Sequence, residues 1–189
     1  RIACPQRPNI VNVRPPYARP MPGYSHLEVV LPPTRGLIAE ARRRRPDVIH
    51  VSTPGPVGFA GVKAARRLGV PLVGTYHTDF PAYVEHLFQD AVCTWLCTRA
   101  MSSFYRPFSR LFTRSLEYAD AIVRLGFPRD GIVKLLPGID TQTFHTRHRP
   151  GDVDAFWRGY PGVDPGAAKV LYVGRVSVEK NLPLLARVW

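Results

Sequence analysis

Two short segments in the middle of the chain carry groups that could bind a sugar or an anion. Residues 53–58, TPGPVG, offer a hydroxyl, backbone amides and the start of a helix. Such groups suit a polyol or an anion, because unsatisfied amides at a helix N-terminus attract negative charge. Residues 76–80, YHTDF, place the imidazole of His77 two positions before the carboxylate of Asp79. We therefore expect these two segments to contribute to a single site.

A third segment, towards the end of the chain, has the composition of a phosphate site. Residues 169–173, KVLYV, predict a buried strand that leads into Gly174, and a helix is predicted from Leu182. The amides and the positive end of the helix dipole would face an anion, while Arg175 and Lys180 supply full charges. An exposed basic turn is the alternative, and the residue types by themselves favour neither.

The first two segments belong to one predicted strand–helix–strand unit, residues 45–80. Apolar runs at 47–52 and 70–75 predict strands, and apolar residues recur at helical spacing from Val57 until Gly69 ends the helix. Strands joined by such a helix pair in parallel through a right-handed crossover and are buried on both faces. The unit predicts a doubly wound α/β domain. Ligands bind these sheets at the carboxyl ends of the strands, where both segments lie.

The same patterns predict further elements on either side of this unit. They indicate helices at 35–45, from Phe80 to about Tyr105 and at 116–125, and strands at 110–113 and 132–136. Ser115 is the expected N-cap of the last helix, because its hydroxyl can accept a hydrogen bond from a first-turn amide. Residues 1–34 are proline-rich and predicted to be irregular, although a doubly wound domain opens with a strand and a helix. We therefore expect the natural N-terminus to be missing.

Composition and cysteine usage indicate an ordinary globular protein. Hydrophobic residues make up 45% of the chain and charged residues 21%, and no apolar run reaches the length of a membrane span or of a signal-peptide core. The chain has three cysteines, too few for a disulfide framework. Cys93 and Cys97 lie four apart in a helical stretch, and we interpret them as buried free thiols rather than a metal pair. This usage predicts a cytosolic protein.

The net charge of +12 predicts an anionic partner. Zinc-finger spacing, RNP-type strands and aromatic-interleaved basic stripes are all absent from the sequence, so we do not expect nucleic acid. The arginines at 42–45 close a helical segment, where the helix dipole favours cations; binding to anionic lipid headgroups is the alternative. Asp152 and Asp154 form a D-x-D pair, but no buried strand precedes them, so we expect no metal site there.

The chain resembles the retaining glycosyltransferases of family 4, which have the two-domain GT-B architecture, from about Pro22 onwards. The resemblance is carried by RPDVIHVSTPGPVG, GTYHTDFPAYV, the TRS ending at Ser115, LGF followed by LLPGIDTQTF, and VGRVSVEKNLPLL, in that order. Within the family, TPGPVG together with YHTDFPAYV is most similar to bacterial mannosyl-, sulfoquinovosyl- and glucosyltransferases that glycosylate lipids. The resemblance implies transfer of a hexose, with retention, from GDP-mannose or a UDP-sugar to a lipid or glycan hydroxyl.

The resemblance also implies a division into domains. Residues 1–144 would form the acceptor-side Rossmann-like domain, 145–168 the interdomain linker, and 169–189 the first strand, loop and helix of a second Rossmann-like, nucleotide-sugar-binding domain. The family's glycine-rich loop after its first strand and its E-x7-E segment have no counterpart here. We therefore expect the chain to be a fragment that cannot turn over by itself.

By the same resemblance, three groups of residues would share a cleft. His77 would face the reacting sugar and position or stabilise the donor, and no catalytic base is assigned because the family is explained by a front-face reaction. The donor diphosphate would be bound by Gly174, Arg175 and Lys180. The acceptor side and the interdomain cleft would be lined by Thr78, Asp79, Tyr83, Gly138 and Asp140.

The expected partners follow from this assignment. The donor would be a GDP- or UDP-sugar and the acceptor a lipid or glycan, with no metal or cofactor required. The protein would be cytoplasmic, with peripheral contact to an anionic membrane at its inner face. A sugar-nucleotide epimerase of the same architecture is one alternative, and a non-enzymatic basic module that binds polyanions or a membrane surface is another.

Overall fold

The chain forms two compact units, Arg1–Pro137 and Gly138–Trp189. The structure is a computed structural model and describes residues 9–21, 24–136, 138–145, 150–164, 166–174, 176 and 180–188. The assignment of an acceptor-side domain, a linker and a nucleotide-sugar domain stays a prediction.

The first unit contains six strands and five α-helices in the residues described. In chain order they are β1 (Tyr17–Met21), β2 (Tyr24–Leu31), α1 (Thr34–Arg44), β3 (Ile49–Val51), α2 (Pro56–Leu68), β4 (Leu72–Thr75), α3 (Phe80–Phe88), α4 (Ala91–Tyr105), β5 (Arg110–Thr113), α5 (Leu116–Arg124) and β6 (Ile132–Lys134). Within these ranges, no helix is both long and apolar enough to cross a membrane.

The core of the unit is a four-stranded parallel sheet in the order β3-β4-β5-β6. Val51 aligns with Gly74, Gly74 with Leu111, and Leu111 with Ile132. The predicted parallel pairing of the strands around α2 is therefore confirmed. So is the fold class, a mixed α/β, Rossmann-like domain with a parallel sheet.

The helices cover one face of this sheet, so the expectation that the strands are buried on both faces is wrong. Strand order follows chain order, and each right-handed crossover therefore adds its helix to the same side. On the covered face the core comprises Val51, Val62, Ala65, Leu72, Tyr76, Phe104, Tyr105, Phe108, Leu111, Ala121, Ile122, Leu125 and Phe127. The opposite face is partly open: His50 is exposed, and Val73 and Phe112 are half-buried.

The N-terminal segment is not irregular as predicted. β1 and β2 pair as an antiparallel ribbon, with Tyr17 opposite Leu31 and a register shift between Pro20 and Met21. Proline is compatible with an edge strand, because such a strand need not donate all its amides to a neighbour. Pro20, one of the prolines that suggested a loop, therefore lies in a strand of this ribbon.

The single helical stretch predicted from Phe80 to Tyr105 is two helices. Gln89 adopts a left-handed conformation with φ of 48°, and Asp90 then caps α4 by accepting a hydrogen bond from the Cys93 amide at 2.7 Å. Cys93 is exposed and Cys97 half-buried, so the prediction of two buried thiols is wrong, although both thiols are free. A capping aspartate restarts the helix where the preceding residue ends it.

The second unit contains helices α6 (Pro150–Arg158) and α7 (Leu182–Val188) in the residues described. The predicted buried strand at 169–173 is wrong, because these residues have no regular structure and Leu171 and Val173 are 74% and 83% exposed. A strand requires a neighbour to satisfy its backbone groups. The described residues of this unit contain no other strand with which it could pair.

Candidate functional site

The two central segments follow neighbouring strands at one edge of the sheet, as predicted. β3 and β4 pair in parallel, so the loops after Val51 and after Thr75 both leave from the carboxyl edge. A side-chain hydrogen bond links the two strands there, since His50 Nε2 lies 2.8 Å from Thr75 Oγ1. Parallel sheets bind their ligands at this edge.

The loop at 53–58 brings the start of α2 close to the end of β3. Gly55 adopts φ of 127°, a conformation that side chains disfavour, and Pro56 opens the helix. A Cβ at Gly58 would collide with the carbonyl oxygen of Thr53 and lie 3.1 Å from the Phe104 ring. Glycine is therefore required for this close approach.

The N-terminus of α2 is open to a ligand in the residues described. No side chain caps the helix, and its first turn contains no acidic residue. First-turn amides without an internal partner carry partial positive charge. This arrangement is suited to a polyol or an anion, as the sequence indicates.

His77 lies in the second loop, exposed to solvent next to a tightly held neighbour. Tyr76 is 1% exposed, its amide donates to the Phe112 carbonyl at 2.8 Å, and its hydroxyl donates to Asp79 Oδ1 at 3.1 Å. Burial, and then the Asp79 charge, raise the pKa of Tyr76 well above its ordinary value, so the phenol stays a donor. The backbone on one side of His77 is thereby anchored while the imidazole remains accessible.

Asp79 has a clear structural task in this loop. Its Oδ1 accepts from the Ala82 amide at 3.3 Å as the N-cap of α3, in addition to the Tyr76 hydroxyl. Its carbonyl oxygen accepts from the amide of the half-buried Tyr83 at 2.9 Å. Thr78 is also half-buried. Asp79 therefore holds the loop that presents His77, and the acceptor-side roles of Thr78, Asp79 and Tyr83 stay predictions.

Sequence reasoning missed Thr113, a buried hydroxyl at the same edge. It ends β5, the strand next to β4, and is 2% exposed. Its Oγ1 has no hydrogen-bond partner among the described residues. An unsatisfied buried hydroxyl is uncommon because it costs free energy. The available signal was its position as the last residue of the predicted strand 110–113.

The remaining predicted residues belong to the second unit. Asp140 closes a turn, since Oδ2 accepts from the Thr143 hydroxyl at 2.6 Å and Oδ1 accepts from the Gln142 amide at 2.9 Å. The Thr143 hydroxyl and the backbone amides of Gln142 and Thr143 lower the pKa of Asp140. Apart from Gly138 itself and its two chain neighbours, no described residue has a heavy atom within 4 Å of where a Cβ on Gly138 would be placed.

The predicted phosphate segment is described only in part. Gly174 and Lys180 are exposed, and Arg175 lies outside the described residues. Helix α7 begins at Leu182, the residue from which a helix was predicted. The strand that should precede the turn is absent, so the roles of Gly174, Arg175 and Lys180 stay predictions.

The described part of the chain contains no group of three or more His, Cys, Asp and Glu side chains arranged to hold a metal ion. Asp154 lies on α6, and the described residues 138–145 before this helix contain no strand.

Comparison with known proteins gives consistent results. The model of glycosyltransferase family 4 matches residues 2–143. A sulfoquinovosyl transferase of Arabidopsis thaliana is 30% identical over 174 residues, which cover 89% of this chain and 32% of that protein. A GDP-mannose-dependent alpha-mannosyltransferase of Mycobacterium tuberculosis is 31% identical over 157 residues, 81% of this chain and 38% of the other.

A third relative is a D-inositol 3-phosphate glycosyltransferase of Pseudarthrobacter chlorophenolicus, 32% identical over 158 residues that cover 79% of this chain and 36% of that protein. The chain thus spans about a third of the length of these relatives.

Proposed function

This chain belongs to glycosyltransferase family 4, and we propose that the protein transfers a hexose from a nucleotide-sugar donor to a lipid or glycan hydroxyl, with retention of configuration. The relatives carry names that specify GDP-mannose, sulfoquinovose or inositol phosphate as substrates or transferred groups. A mannosyl or glucose-type sugar on GDP or UDP fits this range. A lipid acceptor is favoured by the resemblance of residues 53–58 and 76–84 to lipid glycosyltransferases.

Among the residues described, one observation supports this proposal. Two loops that leave neighbouring strands present an uncapped helix start and the exposed His77 at the same sheet edge. An imidazole with an anchored backbone can position a reacting sugar without being consumed. We assign His77 to positioning or stabilising the donor.

The donor diphosphate is assigned to Gly174, Arg175 and Lys180. Negative charge accumulates on the leaving phosphate during sugar transfer, and two fixed cations would stabilise it most in the transition state. We propose that this pair makes a metal or other cofactor unnecessary. Gly138 and Asp140 are assigned to the cleft beside the sugar.

The cellular setting is also a proposal. A lipid acceptor would place the protein in the cytoplasm at the inner face of an anionic membrane, which the net charge of +12 would attract. The relatives named above are transferases, and no observation favours the epimerase or the polyanion-binding alternative.

The proposal is tested by assaying the longest protein that the reading frame encodes with GDP- and UDP-sugars and a lipid acceptor. We expect Arg175→Ala or Lys180→Ala to lower kcat/KM for the donor by roughly 10²–10³-fold, as for other groups that stabilise developing charge. His77→Ala should lower kcat by roughly 10²-fold through lost positioning.

Two variants serve as matched controls. Lys63→Ala removes an exposed cation from the middle of α2, and His86→Ala removes an exposed imidazole from the end of α3. Both should retain wild-type kinetics. Transfer that survives Arg175→Ala and Lys180→Ala unchanged, or a folded protein that transfers no sugar from any donor, would refute the assignment.

A further inference from the structure

The amino edge of the parallel sheet, opposite the edge that carries His77, is rich in arginine. Each helix that leads into a strand ends at that edge, because the strands are parallel. The arginines at these helix ends are Arg42, Arg43 and Arg44 on α1, Arg66 and Arg67 on α2, Arg106 directly after α4, and Arg124 on α5. The helix dipole favours a cation at each of these positions, so a ligand site requires more than the position alone.

These arginines differ in whether a carboxylate pairs with them. Arg43 and Arg44 each lie 2.6 Å from a Glu40 oxygen, and these two partners lower the Glu40 pKa to about 2. Among the described residues, by contrast, Arg66 and Arg106 have no side-chain hydrogen bond or ion pair. Their guanidinium groups are therefore available to an anion from solution.

Arg66 and Arg106 face each other across a cleft between α2 and α4. Ser103 and Pro107 also line this cavity of about 400 Å³, and none of the described residues around it is acidic. We call it the basic cleft. Its volume falls within the roughly 300–1,000 Å³ that is typical of small-molecule sites. Two planar forks of N–H donors and one hydroxyl thus surround a space that a ligand could fill.

Buried contacts fix the walls of the basic cleft. The ring of Phe104, which is 1% exposed, packs 5.0 Å from the ring of Phe59 and so joins α4 to α2. The turn after α4 is attached to the sheet, since the Ser109 amide and hydroxyl donate to the Leu72 carbonyl oxygen at 2.8 and 3.0 Å. A cleft between elements that are already packed loses little conformational freedom when a ligand binds.

We propose that the basic cleft binds the phosphate group of a soluble phosphate monoester. Such a group carries a charge of about −1.5 to −2 at pH 7, which the two guanidinium groups would balance. The carbonyl ends of α2 and α4 contribute only about half a negative charge each, so the two full positive charges stay in excess. A soluble ester fits better than a lipid, because Pro107 is the single apolar residue among the described residues that line the cleft.

The basic cleft shares no residue with the groups assigned to the donor, the acceptor or His77. Its turn joins the start of β4 at Leu72, whereas His77 follows the end of that strand at Thr75. These two strand ends are about 10 Å apart. Binding of a phosphate ester there requires neither a nucleotide-sugar nor sugar transfer. The inference therefore goes beyond the proposed function and can succeed or fail independently of it.

The test is an NMR titration of the ¹⁵N-labelled 189-residue chain with glycerol 3-phosphate at near-physiological salt, where distant charges are screened. The backbone amide signals of Ser103 and Arg106 and the Nε–H signal of Arg66 should shift and saturate together. Glycerol at the same concentrations should leave them unchanged. Absence of a saturable shift up to roughly 10 mM ester, a weaker affinity than a specific site should have, would overturn the inference.

Variants of the lining residues should weaken binding in a defined order. Arg66→Gln or Arg106→Gln should raise Kd by roughly tenfold or more, since each removes a charge-assisted hydrogen bond. Arg106→Lys should recover part of this loss, because lysine keeps the charge without the planar fork. Ser103→Ala should raise Kd by roughly two- to tenfold. All three side chains are exposed, and circular dichroism should confirm that the variants fold.

Two double variants serve as controls for the combination of Arg66→Gln with Arg106→Gln. Arg42→Gln with Arg45→Gln removes two exposed charges near the same edge but outside the cleft. Arg175→Gln with Lys180→Gln removes the cations assigned to the donor diphosphate. Both controls should bind glycerol 3-phosphate like the wild type.

The controls separate failure of this inference from failure of the proposed function. Equal losses in the cleft variant and the Arg42 and Arg45 control would indicate general attraction to a basic surface and would overturn the inference. A loss confined to the Arg175 and Lys180 control would overturn it as well, while supporting the donor assignment. Vesicles of phosphatidic acid that displace the ester at a lower phosphate concentration than the ester's own Kd would refute a soluble ligand.

Discussion

Two strand-length apolar segments of this molecule have similar compositions and opposite environments. Residues 49–51 lie in a sheet, where Val51 is 8% exposed, whereas residues 169–173 have no regular structure and Val173 is 83% exposed. The first segment has the neighbouring strand β4. The described residues of the second unit provide no such neighbour. An apolar, β-branched sequence therefore becomes a buried strand only when a partner satisfies its backbone.

The largest effect on stability is expected from truncating one leucine in each unit. Leu111 is fully buried and Leu171 is 74% exposed. Leu111→Ala should lower the free energy of unfolding by about 2–5 kcal/mol, because it leaves a cavity in the core. Leu171→Ala should change it by less than about 0.5 kcal/mol. Chemical denaturation monitored by circular dichroism measures both, and comparable losses would remove the contrast.

A smaller effect is expected from adding a methyl group to one glycine in each unit. A Cβ at Gly74 would lie 2.6 Å from Cε1 of Phe108 and 3.0 Å from the Val51 carbonyl oxygen. Gly74→Ala should therefore cost about 1–3 kcal/mol of stability. Gly138→Ala should be close to neutral, since the added methyl group would meet no described residue within 4 Å beyond its chain neighbours. A neutral Gly74→Ala, measured by thermal unfolding, would mean that the sheet is less tightly packed than described.

Threonine to valine substitutions should give opposite signs in the two environments. Thr113→Val removes a buried hydroxyl that has no partner among the residues described, and we expect stability to rise by about 1 kcal/mol. Thr143→Val removes an exposed hydroxyl that bonds Asp140, with little expected change in the free energy of unfolding. A destabilised Thr113→Val variant would indicate that the hydroxyl has a partner, such as a bound water.

The smallest effect concerns local hydrogen bonds, where the two units should behave alike. Asp90 accepts from the Cys93 amide and Asp140 from the Thr143 hydroxyl, and these bonds lower the pKa of each carboxyl. Because the folded pKa is lower than the unfolded one, the stabilisation is present above the ordinary value of 3.8 and is lost as pH falls through the folded pKa.

Carbon-detected NMR titration should place both midpoints below 3.8. The difference in unfolding free energy between wild type and Asp90→Asn should shrink as the solution is acidified. An ordinary midpoint for Asp140 alone would show that its turn is not formed.

Local signals predict much of the first unit. Gly69 ends α2 in a left-handed conformation with φ of 68°, and Ser115 caps α5 by accepting from the Tyr118 amide at 3.1 Å, as expected from their residue types. The carboxyl-edge position of His77 follows from the same local patterns, since it is the second residue after β4.

The incorrect predictions concern features that depend on tertiary contacts, which a local sequence pattern does not contain. The β1–β2 ribbon was missed because its pairing overrides the prolines, and the strand at 169–173 was predicted although it lacks a neighbour. Asp79 accepts hydrogen bonds from both the Ala82 amide and the Tyr76 hydroxyl. The second bond was not predictable, because ring contacts with Tyr105 and Tyr118 set the position of Tyr76.

The order of strands in the sheet has a consequence for how the first unit assembles. Since β3, β4, β5 and β6 lie side by side in the order in which they are synthesised, every pairing joins consecutive strands, whose partner residues lie 21 to 37 positions apart. Each parallel pairing must wait for its crossover helix, which makes it slower than a hairpin, but it needs no connection beyond that one. The sheet can therefore grow one strand at a time as the chain leaves the ribosome, without waiting for a distant segment.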